Sequence, residues 1–477
     1  MSFIASDGGT APVTATITVT PVFTNLVISC IGTPKTFTIT VNPLGQFNQP
    51  LNITKCNGET IAPDPFTTIN TGGTSEYHWS NGNTTIGLPA GGNGNIPAFT
   101  AINTGDFPVT ATIEVFAFFE NAGTTCDGPS KTFTITVNPD GQVNQQSDIV
   151  ECEGSTTLPI VFNTNNTGGF YNYQWTNSNT LIGLAANGTN TIPPFTTQND
   201  FNYPITGTIA VTPQFTNGGE PCDGVPMMFD ITVNPQGQVN QPEPVTLCDG
   251  DQNVLLPPWG TINTGGVTTF TWSNSDLSIG LPGAGTGNLP MFNAVNGGNM
   301  PVTATITVIP TFTNAGKSCP GDPVTFQITV NPRGKVNQPP DMVVCNTQIT
   351  NDVVFSTLNI NGTTTYSWTN SNPSIGLPSS GNGDLPSFSA INGGYGPEVA
   401  VITVTPTFTN GNISCPGESK TFTIIVNPSG HVVQPDNLTF CHQQNTTLIA
   451  FSSLNTGGTT SYTWSNSEPL IGLPASG

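Results

Sequence analysis

The sequence repeats with a period of about 96 residues. Five tryptophans mark this period at spacings of 96, 97, 96 and 96 residues: Trp79, Trp175, Trp272, Trp368 and Trp464. Each follows an aromatic residue by two positions and precedes an Ile-Gly-Leu tripeptide by seven. This period exceeds the ~20–50 residues of solenoid repeats and matches a small autonomous domain. We therefore predict a tandem array of domains, with each tryptophan in a domain core rather than on a sugar-stacking surface.

The pattern within one repeat is typical of short β-strands. Residues 132–137 alternate Thr with Phe, Ile and Val, which is the period of two of a half-buried strand, and Asn138-Pro139 then ends it. The repeat at 140–235 contains seven such segments and no helical periodicity, which indicates an antiparallel β-sandwich. The seven predicted strands are 148–152, 157–162, 171–176, 181–184, 191–195, 205–215 and 228–233.

The repeats divide the chain into four full units flanked by two half units. The chain is expected to have been cut from a longer protein, because it opens with the second half of a repeat and closes with the first half of another. The predicted boundaries are 1–43 (a C-terminal half), 44–139, 140–235, 236–332 and 333–428 (full repeats), and 429–477 (an N-terminal half).

Composition and charge exclude several classes of function. The net charge is −21, with only seven Lys plus Arg in 477 residues. Such a surface repels phosphate backbones and lacks the basic patch that binds anionic lipid, so we expect no nucleic-acid partner. The sequence also has no apolar run long enough to span a bilayer, so we expect no direct membrane insertion.

Four recurring motifs resemble those of a known repeat family. They are T-F-T-I-T-V-N-P-x-G-x-V-N-Q-P, Y-x-W-[TS]-N, I-G-L-P and P-V-T-A-T-I-T-V-T-P, and together they cover the whole chain. They are similar to the PKD-like, immunoglobulin-like tandem repeats of giant cell-surface proteins of Bacteroidota, including gliding-motility adhesins of the SprB type. The resemblance implies an all-β fold: a tandem array of seven-strand antiparallel Ig-like/PKD-like β-sandwich domains forming an extended rod.

The same resemblance implies a function and a location. It implies the stalk of a bacterial cell-surface adhesin that is exported by type IX secretion, extends a binding tip, acts in gliding motility and bears tension. The expected partners are neighbouring repeats of the same chain, with surface polysaccharide or other cell-surface proteins as further candidates. Two alternatives remain open: an array of glycan-binding modules, and a subunit of a self-assembling extracellular filament.

Enzymatic and metal-dependent functions are not favoured. The three histidines, His78, His431 and His442, form no base–nucleophile pair that recurs between repeats. The acidic residues near the cysteines, such as Asp249 and Asp251, do not recur as the set of carboxylates that calcium requires. We therefore predict no catalytic residue, no metal ligand and no cofactor.

The ten cysteines recur at matching places in every repeat. Their separations alternate between a short step, such as Cys30 to Cys56, and a long one, such as Cys56 to Cys126, and they include no C-x-x-C motif. This pattern favours disulfides over zinc, and so an oxidising, extracellular compartment. The cysteines are Cys30, Cys56, Cys126, Cys152, Cys222, Cys248, Cys319, Cys345, Cys415 and Cys441.

Two disulfide patterns fit these separations. One joins the cysteines of each short step across a junction between repeats, and the other joins the cysteines of each long step within one repeat. We favour the second, because the first and last strands of a seven-strand sandwich start at the same end. The predicted bridges are Cys56–Cys126, Cys152–Cys222, Cys248–Cys319 and Cys345–Cys415, with Cys30 and Cys441 unpaired.

Overall fold

The structure is a computed structural model that describes residues 18–20, 22–25, 28–31, 49–63, 65–66, 68, 74–121, 124–127 and 129–477. Its regular elements are β-strands and single 3₁₀ turns, so the predicted all-β class of tandem immunoglobulin-like sandwich repeats is confirmed. Each six-stranded sheet draws its strands from one of the sequence repeats.

The strands are numbered in chain order. In the first half repeat they are β1 Val22–Asn25 and β2 Ile28–Ile31. In repeat 44–139 they are β3 Ile53–Cys56, β4 Thr60–Ile61, β5 Thr74–Asn81, β6 Gly91–Asn93, β7 Phe99–Thr100, β8 Val109–Asn121, β9 Thr124–Asp127 and β10 Lys131–Asn138. In repeat 140–235 they are β11 Ile149–Cys152, β12 Phe170–Asn177, β13 Asn187–Thr189, β14 Ile205–Asn217, β15 Glu220–Asp223 and β16 Met227–Asn234.

The next two repeats have the same element order. In repeat 236–332 the strands are β17 Val245–Cys248, β18 Val267–Asn274, β19 Ala284–Thr286, β20 Val302–Asn314, β21 Lys317–Pro320 and β22 Val324–Asn331. In repeat 333–428 they are β23 Met342–Cys345, β24 Thr363–Asn370, β25 Ser380–Asn382, β26 Glu398–Asn410, β27 Ile413–Pro416 and β28 Lys420–Asn427. The 3₁₀ turns are Thr84–Ile86, Thr180–Ile182, Leu277–Ile279, Pro373–Ile375 and Pro469–Ile471.

Repeat 140–235 shows the sheet topology that the others share. Its strand order is β11-β16-β14-β12-β13, and β15 pairs with the far end of β14. The first strand β11 runs parallel to the last strand β16, with Cys152 opposite Asn234, whereas the remaining pairs of this sheet are antiparallel. The facing layer is thin and is held by the bridges Thr156↔Thr196 and Ile160↔Ile192. The first and last strands therefore run in the same direction.

Three of the seven predicted strands of this repeat take another form. The segment 181–184 was predicted as a strand, but its start forms the 3₁₀ turn Thr180–Ile182. Asn179 caps this turn, since its side chain accepts a hydrogen bond from the Leu181 amide, and Gly183 ends it at φ 91°. The strand lies further on, at β13. The predicted strands 157–162 and 191–195 form no regular strand and are linked only by the isolated bridge Ile160↔Ile192.

The apolar residues of the alternating strands form one core in each full repeat. The tryptophans at Trp79, Trp175, Trp272 and Trp368 lie in the four core clusters and are only 3–5% exposed. Each indole lies against a glycine of the next strand, and a Cβ built on Gly188 would stand 2.3 Å from the Trp175 ring. Glycine is required there because the ring occupies the space of a side chain. Trp464, in the last half repeat, is partly exposed.

The chain forms two compact units. The first unit consists of residues 1–238, 261–269 and 310–322. The second unit consists of residues 239–260, 270–309 and 323–477.

Within the described residues, no helix has the length and apolar character needed to cross a membrane.

Candidate functional site: the clasp between repeats

A two-stranded hairpin extends from the end of each full sheet. In repeat 140–235 it consists of the last residues of β14 paired with β15, with Phe215 opposite Cys222 and Asn217 opposite Glu220. We call this hairpin the arm of the repeat. Its tip, Gly218-Gly219, has positive φ at both positions (64° and 80°), which is the two-residue turn that matches the twist of paired strands. The arms of the next two repeats have the same turn at Ala315-Gly316 and Gly411-Asn412.

Each of these arms is disulfide-bonded to the first strand of the preceding repeat. We call that first strand the acceptor strand, and the docked pair a clasp. In each clasp the two Cα atoms are 5.5 Å apart. Clasp 1 is Cys56–Cys222, clasp 2 is Cys152–Cys319 and clasp 3 is Cys248–Cys415.

The predicted intradomain connectivity is therefore wrong. Cys56, Cys152 and Cys248 do not pair with the second cysteine of their own repeats, and Cys345 does not pair with Cys415. The two cysteines of one repeat lie at opposite ends of its sheet. Cys152 ends β11 beside Asn234, at the end of the sheet where Val233 faces Ile205 of β14. Cys222 lies opposite Phe215, which is ten residues further along β14 than Ile205. Ten strand residues span roughly 33 Å, and a disulfide needs Cα atoms within ~7 Å.

The remaining cysteines are not in clasps that the structure describes. Cys345 and Cys441 are free and exposed. Cys30 and Cys126 lie in strands β2 and β9, and their side chains are outside the described part of the chain. The predicted unpaired state of Cys30 stays a prediction, whereas Cys126 does not form its predicted bridge because Cys56 is bonded to Cys222.

A pair of asparagines joins the same two repeats beside each disulfide. In clasp 1 the Asn138 side-chain amide donates to the backbone carbonyl of Asn217 at 2.9 Å, and the Asn217 amide donates to Asn138 Oδ1 at 3.0 Å. Clasps 2 and 3 repeat this exchange with Asn234–Asn314 and Asn331–Asn410. The acceptor-side asparagine is fully buried in all three. Since a buried amide without partners is costly, this exchange fixes the position of the arm.

A third contact joins the repeats away from the arm. The donor is a backbone amide in the loop before the tryptophan-containing strand of one repeat, which is β12 in repeat 140–235. The acceptor is a carbonyl in the loop before the 13-residue strand of the preceding repeat, which is β8 in repeat 44–139, and the distance is 2.8–2.9 Å. We call this the shoulder contact. It joins Thr167 to Asp106, Thr264 to Asn202, Ile360 to Asn299 and Thr456 to Tyr395.

One position on each side of the clasp varies in a complementary way. On the acceptor strand this position is the residue immediately before the cysteine. On the arm it is the residue two positions before the cysteine. In clasp 1 these are Lys55 and Glu220, with Nζ 3.5 Å from the carboxylate, and Glu59 also lies 3.2 Å from Nζ. In clasp 2 the charges are reversed, with Lys317 Nζ 2.7 Å from the Glu151 carboxylate.

Clasp 3 has no charge at these two positions. They are occupied by Leu247 and Ile413. Leu247 packs against the core of its own repeat. The two positions thus hold opposite charges in two clasps and two aliphatic residues in the third.

Burial affects the two charged clasps differently. The Lys55 side chain is 0% exposed and that of Glu220 is 8% exposed, whereas Lys317 and Glu151 are 41% and 26% exposed. Desolvation lowers the pKa of Lys55, and the nearby carboxylates of Glu59 and Glu220 oppose that change. Desolvation also raises the pKa of Glu220, against the attraction of Lys55. In clasp 1, therefore, burial opposes both charges.

Cys56, Glu59 and Glu220 are close enough to suggest a metal site. Their ligand atoms lie within 4.8 Å of one another. The sulfur of Cys56 is bonded to Cys222, however, so it cannot act as the thiolate that metals bind, and Lys55 supplies the positive charge between the carboxylates. These donors therefore do not fit a metal ion.

Sequence reasoning missed the arm because β15 was not predicted as a strand. A signal for it was present: the segments 215–222, 312–319 and 408–415 all read F-T-N-x-x-x-x-C, and the Gly-Gly of the first and the Gly-Asn of the third are dipeptides typical of two-residue hairpin turns. The partner of the arm has no comparable local signal, because it lies 166 or 167 residues away.

Comparison with known proteins gave matches in structure only. No family model matches the chain, and no curated protein matches it. Of the solved structures, 238 chains match. Drosophila N-cadherin EC1-4 is 12% identical with a TM-score of 0.25, covering 74% of this chain and 92% of its own.

Two further solved structures are similar at the same level. Mouse cadherin-23 EC22-24 is 11% identical, with a TM-score of 0.29, and covers 61% of this chain and 99% of its own. The insect immune protein hemolin is 12% identical, with a TM-score of 0.19, and covers 80% of this chain and 98% of its own. All three are at most 12% identical to this chain, with TM-scores below 0.3.

Proposed function

We propose that this chain is a load-bearing structural section of an extracellular adhesin, in which clasps bind consecutive repeats covalently. The observation that carries this proposal is the overlap of the three disulfide loops, 56–222, 152–319 and 248–415. Every peptide bond between Cys56 and Cys415 is enclosed by at least one loop. A single break in the backbone there leaves the chain in one piece.

The overlap also limits how far the chain extends under tension. The shortest covalent path from Cys56 to Cys415 crosses clasp 1, follows residues 222–248 and crosses clasp 3. That peptide segment is at most about 90 Å long when fully extended, at ~3.5 Å per residue. Without the disulfides, the same two residues are separated by about 360 residues, or roughly 1,200 Å of extended chain. The clasps therefore shield the repeats between them from unfolding by force.

The compartment and the parent protein complete the proposal. Disulfides persist in oxidising surroundings, which supports a secreted, extracellular location. The sequence resemblance to repeats of giant Bacteroidota surface proteins supports placement in the stalk of a bacterial adhesin, with type IX secretion and gliding motility as its setting. In this proposal the role is non-catalytic, and the full repeats follow the boundaries 44–139, 140–235, 236–332 and 333–428. Its immediate partners are neighbouring repeats.

Single-molecule force spectroscopy tests the proposal on the full chain held at its ends. Oxidised chains are expected to lengthen little between Cys56 and Cys415, by at most about 90 Å of contour. Chains treated with reductant are expected to release the four-repeat region in steps of whole repeats. If oxidised and reduced chains released the same length, the clasps would not carry load and the proposal would fail.

A further inference from the structure

We propose that a cleft between repeats 236–332 and 333–428 binds an acidic sugar, whose carboxylate is held by Arg333, Lys335 and Lys420. The cleft lies within the second compact unit, and its lining residues come from the two full repeats that clasp 3 joins. The inference concerns a ligand of this junction and does not depend on the load-bearing role.

The cleft contains three of the seven basic residues in a chain whose net charge is −21. Two carboxylates, those of Asp249 and Glu418, also line it, so three cations and two anions leave one net positive charge. In the part of the chain that the structure describes, none of the three cations forms an ion pair with a carboxylate. Negative charges elsewhere on the chain are screened beyond ~8 Å at physiological ionic strength. A ligand carboxylate can therefore supply the counter-charge that the protein does not.

Arg333 is held in place by one nitrogen, which leaves its other two available. Its Nε donates to the backbone carbonyl of Asp249 at 2.9 Å. One terminal nitrogen lies over Gly250, where a built Cβ would stand 2.7 Å from it. Neither terminal nitrogen donates to another group among the described residues. A guanidinium fixed in this way can donate two parallel N–H bonds to a planar carboxylate.

The two lysines differ in how they are held. Lys335 Nζ donates to the carbonyls of Gly297 at 3.2 Å and Gly298 at 2.8 Å and to Asn299 Oδ1 at 2.7 Å. These oxygens are neutral, so they fix the ammonium without cancelling its charge. Lys420 begins β28 with an exposed side chain, and its Nζ has no hydrogen-bond partner among the described residues. Lys335 thus provides a fixed positive charge, and Lys420 is free to move onto a bound anion.

The size and the remaining lining of the cleft favour a sugar. Its volume is about 370 Å³, within the ~300–1,000 Å³ of small-molecule sites. The lining includes the exposed side chains of Leu358 and Asn337. A uronic acid presents an apolar C–H face to the first, hydroxyl groups to the second and one carboxylate to the cations.

An acidic peptide fits the cleft less well. An extended peptide commonly binds by adding a strand to a free sheet edge. The strand at this cleft, β28, is paired on one side with β23 and on the other with β26, so its backbone groups are already used. The observations therefore favour the sugar.

The basic residues are not needed to fold this linker. Residues 331–339 read N-P-R-G-K-V-N-Q-P, and residues 234–242 read N-P-Q-G-Q-V-N-Q-P. The two segments differ only at Gln236 and Gln238, and Val324 takes the place of the third cation in that repeat. The chain thus contains its own neutral version of the same segment.

Isothermal titration calorimetry with tetragalacturonate, a chain of four uronic acids, tests the inference on the full oxidised protein. We expect one binding site per chain, no binding of the neutral galactose tetramer and weaker binding of tetra-aspartate. The affinity should fall several-fold from low to high salt, because the attraction is between charges. Equal binding of the neutral tetramer would overturn the proposal, and equal binding of tetra-aspartate would reject the sugar in favour of an acidic peptide.

Variants of the lining charges locate the site. Arg333→Gln/Lys335→Gln makes the linker identical to 234–242 and is expected to lower the affinity for tetragalacturonate about tenfold, which is about 1.4 kcal/mol. Lys420→Gln should lower it about threefold. Glu418→Gln should raise it about threefold, because a carboxylate that repels the ligand is removed.

The last two variants separate ligand binding from a role in holding the junction. Arg333 and Lys335 also bond the preceding repeat, so formation of Cys248–Cys415 is checked in every variant. Lys420 has no such bond, and a purely structural change would not shift the affinity in opposite directions for Lys420→Gln and Glu418→Gln. Unchanged affinity in both of these variants would show that the anion does not bind in this cleft, and the proposal would be rejected.

Discussion

Clasps 1 and 3 make the same covalent link between repeats with opposite chemistry around it. Both have the disulfide, with Cα atoms 5.5 Å apart, and the reciprocal asparagine pair. Clasp 1 buries Lys55 against Glu220 and Glu59, while clasp 3 places Leu247 and Ile413 at the corresponding positions. The difference shows that the charges are not needed for docking as such. We expect them instead to disfavour any docking that would bury a charge without its partner.

The disulfide is the feature that both clasps share, and its removal should have the largest effect. The double substitution Cys56→Ser/Cys222→Ser is expected to lower the free energy of opening of clasp 1 by about 2–5 kcal/mol, since a loop of some 166 residues is no longer closed. Cys248→Ser/Cys415→Ser should cost clasp 3 about as much. Native-state hydrogen exchange of the acceptor-strand amides measures both. A loss confined to one clasp would show that the two are not equivalent.

Breaking one side of the buried ion pair is the next largest effect. Lys55→Leu leaves Glu220 and Glu59 together in a desolvated site without a cation, and should cost about 3–5 kcal/mol of local stability. The matched change Leu247→Met in clasp 3 should cost less than about 1.5 kcal/mol, because it conserves volume and polarity. Hydrogen exchange in β3 and β17 compares the two. Equal small costs would mean that water reaches the Lys55 site.

Converting clasp 1 to the chemistry of clasp 3 should reverse that loss. The double substitution Lys55→Leu/Glu220→Ile is expected to be neutral or to stabilise the clasp by about 1–4 kcal/mol, because the desolvation of two charges is removed. The single variants Lys55→Leu and Glu220→Ile complete a double-mutant cycle that gives the interaction free energy of the pair. A double variant as unstable as Lys55→Leu alone would show that Glu59 needs the cation and that the pair is not independent.

The exposed ion pair of clasp 2 should matter less. Lys317→Ala removes a contact between side chains that are 41% and 26% exposed, and is expected to cost about 0–1 kcal/mol. Because water and ions screen this pair, the cost should shrink further in high salt. Measuring the opening of β11 at low and high salt tests this. A large cost that does not change with salt would mean that the Lys317–Glu151 pair is shielded from water, as the Lys55–Glu220 pair of clasp 1 is.

The pH dependence of clasp 1 is the smallest and most specific effect. Burial raises the pKa of Glu220 above its unfolded value, so the folded state binds this proton more tightly. The corresponding stability is present below the unfolded pKa and is lost as pH rises through the folded pKa. Wild-type clasp 1 should therefore strengthen relative to Glu220→Gln as the pH falls from 7 towards 4.5. If the stability of clasp 1 changed with pH in the same way in the wild type and in Glu220→Gln, the raised pKa of Glu220 in the folded state would be contradicted.

The sequence was a good guide to what depends on short-range pattern. The period of two gave the long strand at 205–217 and the last strand at 227–234 nearly in full, and the Trp period placed Trp79, Trp175, Trp272 and Trp368 at positions that prove to be buried. Segment 181–184 failed as a strand because Asn179 and Gly183 supply caps for a single 3₁₀ turn, and these local hydrogen bonds outweigh β propensity.

The sequence alone determined the period, the strand character of each repeat and the expectation that its cysteines form disulfides, because these follow from local alternation, turn residues and composition. Tertiary structure alone decided which cysteines meet. The parallel pairing of β11 with β16 puts Cys152 and Cys222 at opposite ends of one sheet, and the arm carries Cys222 to the acceptor strand of the preceding repeat. A contact 166 residues apart depends on strand order and direction, which hydrophobic periodicity does not specify.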